Sequence, residues 1–62
     1  MNTRITFDIK DYERVYEIIT ELGGESSDFE TDDCVELGDD EEYVNSVKKA
    51  LNKAGIEFET IW

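Results

Sequence analysis

The stretch Ser26-Ser27-Asp28-Phe29-Glu30-Thr31-Asp32-Asp33-Cys34-Val35-Glu36-Leu37 decides how this chain folds. Phe29, Val35 and Leu37 supply inward-facing positions for two short strands. Asp32-Asp33 lies between them as a candidate two-residue turn, because Asp tolerates positive φ better than most residues, although Gly at the second place would be a stronger signal. If the stretch is a hairpin, the chain has four strands. If residues 25–32 are loop, it has three.

On the N-terminal side, Thr3 to Ile9 alternates, with Ile5, Phe7 and Ile9 on one side and Arg4, Thr6 and Asp8 on the other, the mark of a strand with one buried face. The period changes at Asp11. Tyr12, Val15, Ile18, Ile19 and Leu22 form a helical stripe, Asp11 can cap it, and Gly23-Gly24 stops it, so the first helix is expected over about residues 11–22. On the C-terminal side a second helix is expected from Asp40 to Ala54, with Tyr43, Val44, Val47, Ala50, Leu51 and Ala54 as its apolar stripe and Gly55 as its stop. Asp39 with Glu42 has the spacing of a capping box, and Lys48, Lys49 and Lys53 lie toward the end that the helix macrodipole favours for cations. Ile56 to Trp62 alternates again, with Ile56 and Phe58 inward and Glu57 and Glu59 outward.

The expected fold is therefore α+β: a ferredoxin-like βαββαβ plan with a four-stranded antiparallel sheet and two helices on one face. The three-stranded βαβαβ arrangement is the alternative. Sixty-two residues are expected to make one domain, and one this small buries only roughly 60% of its unfolded surface, too little to hollow out an enclosed pocket. No apolar run approaches membrane-spanning length, and Met1-Asn2-Thr3-Arg4 leads into a strand pattern rather than a signal peptide, so a cytosolic, soluble protein is expected.

Charge is the other dominant feature. Seventeen Asp and Glu against six Lys and Arg give a net charge of −11, and no Lys or Arg occurs between Val15 and Val47. Ten carboxylates fall from Glu25 to Glu42. Apolar residues at strand and helix spacings run through the block, so it reads as a folded anionic surface rather than a disordered tail. If the inward set is as above, the two-residue period sends Thr6, Asp8, Asp28, Glu30, Glu36, Glu57 and Glu59 to the uncovered face of the sheet. Asp32-Asp33 and Asp39, Asp40, Glu41 and Glu42 are expected to extend that face around one edge. Related topologies use this face to stack nucleic-acid bases on aromatics beside cations. Here the sign is inverted and Arg4 is the expected lone cation on the face, so direct binding to nucleic acid or to anionic membranes is disfavoured and a basic protein partner is favoured.

Other chemistries have little starting material. The chain lacks His and any Gly-rich phosphate loop, no catalytic residue stands out, no cofactor is implied, and an enzyme is not expected. Asp28, Glu30 and Asp32 match the first three ligand positions of a calcium loop, but Asp33 stands where Gly is needed and Asp39 where the bidentate Glu is needed, so no metal site is expected. Cys34 beside Asp33 and Glu36 reads as a half-buried strand residue with a disfavoured thiolate. Acidity also serves solubility and protects sheet edges, and a small regulatory interaction domain, antitoxin-like and docking by a helix face or strand edge, is the alternative function.

A very small, highly acidic chain with a complete strand-and-helix pattern and the Glu25 to Glu42 block resembles the phage-encoded inhibitors that act as nucleic-acid mimics: anti-CRISPR proteins foremost, with anti-restriction proteins and inhibitors of DNA repair enzymes. The resemblance is one of size and charge. It implies a stoichiometric inhibitor, acting in the host cytosol as a monomer, that occupies the basic nucleic-acid channel of a host defence complex. Asp28, Glu30, Asp32, Asp33, Glu36, Asp39, Asp40, Glu41 and Glu42 would pair with Arg and Lys of that target, helped by Asp8, Glu57 and Glu59.

The self-repulsion of a −11 chain is screened by salt over a Debye length of about 10 Å at 0.1 M. The melting temperature should therefore rise from low to moderate ionic strength in a calorimetric scan. A fall would mean that attractive ion pairs dominate.

Overall fold

The computed structural model describes residues 2–61. Strand β1 (Thr3–Phe7) pairs on one side with β3 (Cys34–Gly38) and on the other with β4 (Phe58–Ile61), while β2 (Phe29–Thr31) pairs with the outer side of β3. The sheet order is β2-β3-β1-β4, with every neighbouring pair antiparallel. Helix α1 (Tyr12–Glu21) connects β1 to β2 and helix α2 (Glu41–Lys53) connects β3 to β4. This is the ferredoxin-like βαββαβ plan, and the β2–β3 pairing removes the three-stranded alternative.

One core holds the layers together. Ile5, Phe7, Val35, Leu37 and Ile56 from the sheet side meet Val15 and Ile19 of α1 and Val44, Val47 and Leu51 of α2. The short β2 is fixed by aromatic packing as well as by its ladder: the Phe29 ring lies 5.3 Å from Tyr12, 5.6 Å from Tyr16 and 6.3 Å from Phe7. Such pairs contribute about 0.5–1.5 kcal/mol each beyond area burial, enough to place a three-residue strand that hydrogen bonds alone would leave frayed.

Both helices end in the same way. Gly23 N–H bonds Thr20 O and Gly24 N–H bonds Ile19 O; Gly55 N–H bonds Asn52 O and Ile56 N–H bonds Leu51 O. These are the paired bonds of a Schellman motif, with Gly23 and Gly55 supplying the left-handed backbone. Gly24 is constrained by a close approach instead: a Cβ there would collide with the Ile19 side chain and stand 2.5 Å from the Tyr43 hydroxyl.

Several expected details are corrected. Strand β1 stops at Phe7 because Asp8 caps a 3-10 turn over Ile9–Asp11, accepting from Lys10 N–H at 3.0 Å, and Ile9 is 61% exposed rather than inward. The cap of α2 is Asp40, whose carboxylate accepts from the Glu42 and Tyr43 N–H groups; Asp39 does not form the expected box. Glu25 and Asp28 make a capping box one connection earlier, around the 3-10 turn Ser26–Asp28. The Asp32-Asp33 turn is present, but no non-glycine residue among those described has positive φ. The turn is therefore not the left-handed type, and the register shift between Phe29 and Thr31 absorbs the twist. Strand β4 begins at Phe58, with Ile56 buried in the preceding turn; Trp62 lies outside the described residues.

Two substitutions in α2 test this packing with opposite signs. Leu51 is fully buried, so Leu51→Ala should cost about 2–5 kcal/mol. The Tyr43 hydroxyl is buried without a hydrogen-bond partner, so Tyr43→Phe should leave the protein at least as stable as wild type. Urea denaturation reads both.

Candidate functional site

The topology divides the carboxylates among three places. On the uncovered sheet face, β1 contributes Arg4 and Thr6, β2 Glu30, β3 Cys34 and Glu36, and β4 Glu59 and Ile61. Arg4 Nε pairs with Glu30 Oε1 at 2.7 Å, reaching across β3, and Arg4 stands opposite Glu36 in the β1–β3 register. Glu36 also accepts from the Asn2 side-chain amide. The face is less negative than the alternation predicts. Asp8 and Asp28 sit in capping turns, and Glu57 precedes β4, so three of the six expected carboxylates lie outside the strands.

Cys34 lies on this face opposite Thr6, with its thiol donating to Glu30 Oε1 at 3.8 Å. Burial pushes the thiol above its ordinary value of 9.0, and the neighbouring Glu30 charge pushes in the same direction. Burial likewise raises the Tyr43 phenol, aided by the Asp28 charge.

The second place is the end of the sheet formed by the β1–α1, β2–β3 and α2–β4 connections. The Phe7 N–H bond to Asp33 O at 3.0 Å ties the hairpin turn to the end of β1. Asp8, Asp33, Glu57 and Glu59 thereby line one open groove of about 880 Å³, whose other walls include Thr6, Phe58 and Asn52. Asp32 lies in the same turn and borders a smaller depression of about 290 Å³ with Ile9 and Tyr12.

The third place is the opposite end, built by the α1–β2 and β3–α2 connections. Glu21, Glu25, Asp28, Asp39, Asp40, Glu41 and Glu42 all belong to it, and neither connection contains a Lys or Arg. Glu41 and Glu42 occupy the first turn of α2, where the macrodipole favours them; Glu21 stands in the last turn of α1, where it is disfavoured and which contains no basic residue. The sequence pattern predicts that the hairpin turn and the α2 start share one edge. They are instead separated by the whole of β3, five residues or about 17 Å. Glu21 and Glu25 join this surface although the strand alternation gives no hint of them. The signal for them is the Gly23-Gly24 stop, which folds the chain back there.

Among the described residues, no group of three or more His, Cys, Asp or Glu side chains is arranged to hold a metal ion, and no helix is long and apolar enough to cross a membrane. Comparison with protein-family models, curated proteins and solved structures finds no match to this chain.

The Cys34 environment yields a direct measurement. Because the folded-state thiol titrates above the unfolded one, its contribution to stability is intact below about pH 9 and is lost as pH rises through the raised value. Iodoacetamide should therefore label the folded protein more slowly than the urea-unfolded chain at pH 8. Glu30→Gln should accelerate labelling, since it removes a charge that disfavours the thiolate and leaves Arg4 beside it.

Proposed function

We propose that this protein is a non-enzymatic, acidic inhibitor that binds the basic nucleic-acid surface of a partner protein by imitating a phosphate backbone. The observation that carries the reading is the end of the sheet at the start of α2, where six carboxylates, Glu25, Asp28, Asp39, Asp40, Glu41 and Glu42, are grouped on two connections and the first turn of α2, none of which contains a Lys or Arg. Asp39, Glu41 and Glu42 are exposed there, and the cap that Asp40 supplies holds them on a rigid helix start. A fixed array of this kind attracts Arg and Lys without ordering a flexible tail, and it raises association rates through long-range attraction. The acidic groove at the other end, with Asp8, Asp33, Glu57 and Glu59, offers a second contact region of the same sign.

The resemblance to phage-encoded inhibitors makes a CRISPR effector complex the first target to try, with the protein acting as a monomer in the host cytosol. The alternative, an antitoxin-like interaction domain docking through apolar anchors, draws on the exposure of Ile9 (61%) and Ile61 (42%).

A charge-reversal experiment separates the two. Asp39→Lys, Glu41→Lys and Glu42→Lys together, with Asp40 retained to preserve the cap, should abolish inhibition of CRISPR interference in a plasmid-survival assay, and added salt should weaken partner binding in vitro. Ile61→Ala should be tolerated. Unchanged inhibition by the triple variant, with loss of binding in Ile61→Ala, would establish the apolar-anchor reading instead.

A further inference from the structure

We infer that the outer edge of β4 is a docking site for an extended basic segment of a partner protein, which adds to the sheet as a fifth strand. The direction of the backbone follows from one bond. Phe7 N–H points to Asp33 O beyond the end of β3, so along β1 the groups of Phe7 and Ile5 face β3 while those of Thr6 and Arg4 face β4. Thr6 pairs with Glu59 and Arg4 with Ile61. Glu59 and Ile61 therefore turn their backbone groups inward to β1, and Phe58 and Thr60 turn their N–H and C=O groups outward, where the sheet order places no further strand.

The two edges of the sheet are defended differently. Edge strand β2 is three residues long, carries a register shift, and is latched across its neighbour by the Arg4–Glu30 pair. Edge strand β4 has four residues paired in unbroken register, with no Pro and no Lys. Bulges, Pro and Lys are the devices that normally block strand addition. What β4 has instead is negative charge: Glu59 on its uncovered face, Glu57 just before it, and Asp8 and Asp33 in the adjoining groove. A second copy of the chain paired antiparallel along this edge would bring Glu57 of each copy against Glu59 of the other and combine two charges of −11, so self-pairing is opposed. A strand with Lys or Arg at alternate positions sets its cations against these carboxylates on the uncovered face. The edge is thus selective by charge: closed to itself and open to basic strands.

This inference rests on the reading of the protein as a binder of basic proteins, and its test is independent of the α2 start. The probe is an acetylated, amidated peptide of alternating lysine and valine, titrated into the isotope-labelled protein. Binding should shift the amide resonances of Phe58 and Thr60 and slow their exchange with solvent. N-methylation of the peptide at alternate residues, which removes its ladder donors without touching the protein, should weaken binding roughly tenfold or more, and a glutamate-valine peptide should not bind. Thr60→Pro should weaken binding similarly while leaving the β1–β4 ladder intact, because Thr60 N–H points away from β1.

Shifts confined to residues 39–42, affinity indifferent to N-methylation, or concentration-dependent dimerisation through β4 would each overturn the inference. In the plasmid-survival assay, full inhibition by Thr60→Pro would remove β4 from the interface and leave the phosphate-mimic reading standing. Loss of inhibition only in the α2-start variant would likewise exclude β4 and leave that reading in place.

Discussion

Strand β1 is hydrogen-bonded along both sides, and this double pairing is the constraint from which the rest of the molecule follows. Ile5, fully buried, stands opposite Val35 on one side and Thr60 on the other. With β3 and β4 both antiparallel to β1, the chain must cross between them and out to β2 by helices. Right-handed crossovers put both helices on the same face. The covered face takes the alternating apolar side chains, and charge is left to the other face and to the two ends. The segregation of carboxylates is thus a consequence of filling a small core from a short chain.

Many of the carboxylates have a local structural duty. Asp8 and Asp40 cap turns or helices, Glu25 and Asp28 cap each other's segment, and Asp33 accepts from the Thr31 hydroxyl within the hairpin turn at 2.6 Å. Asp11 pairs with Arg14, and Glu30 with Arg4. Each of these would be retained in a protein whose acidity served the fold alone. Asp32, Asp39, Glu57 and Glu59 have no such role among the described contacts, and Glu21 opposes the macrodipole of α1. Charge that the fold does not use, concentrated at the two ends, is the physical basis for assigning a binding role to those ends.

The fold was legible because its signals are periodic and local. Phe29, Val35 and Leu37 bracketing Asp32-Asp33 disclosed the hairpin, and the stripes closed by Gly23-Gly24 and Gly55 disclosed both helices. The failures lie where a local hydrogen bond outweighs periodicity: Ile9 continues the alternation of β1, yet the Asp8 carboxylate turns the backbone before it, and Ile56 continues that of β4 while its N–H completes the cap of α2. The site was less legible for a different reason. A run of acidic residues contiguous in sequence conceals that β3 carries the chain from one end of the sheet to the other. Only the pairing partners of Cys34 and Gly38 reveal that Asp33 and Asp39 stand far apart.

The two ends also differ in how their charge is balanced. In the helical layer near the hairpin, Arg14 pairs with Asp11 at the start of α1 and donates to the carbonyl of Ala54 at the end of α2, so one guanidinium serves both helix termini. At the other end the start of α2 and the finish of α1 adjoin without an equivalent cation in either connection. The separation of about 17 Å along β3 is roughly twice the Debye length of about 8 Å at physiological ionic strength. Fields from the two ends are then largely screened from one another. On the proposed reading each end meets a basic surface as a separate contact, and a partner that engages both must present cations at two sites about a strand's length apart.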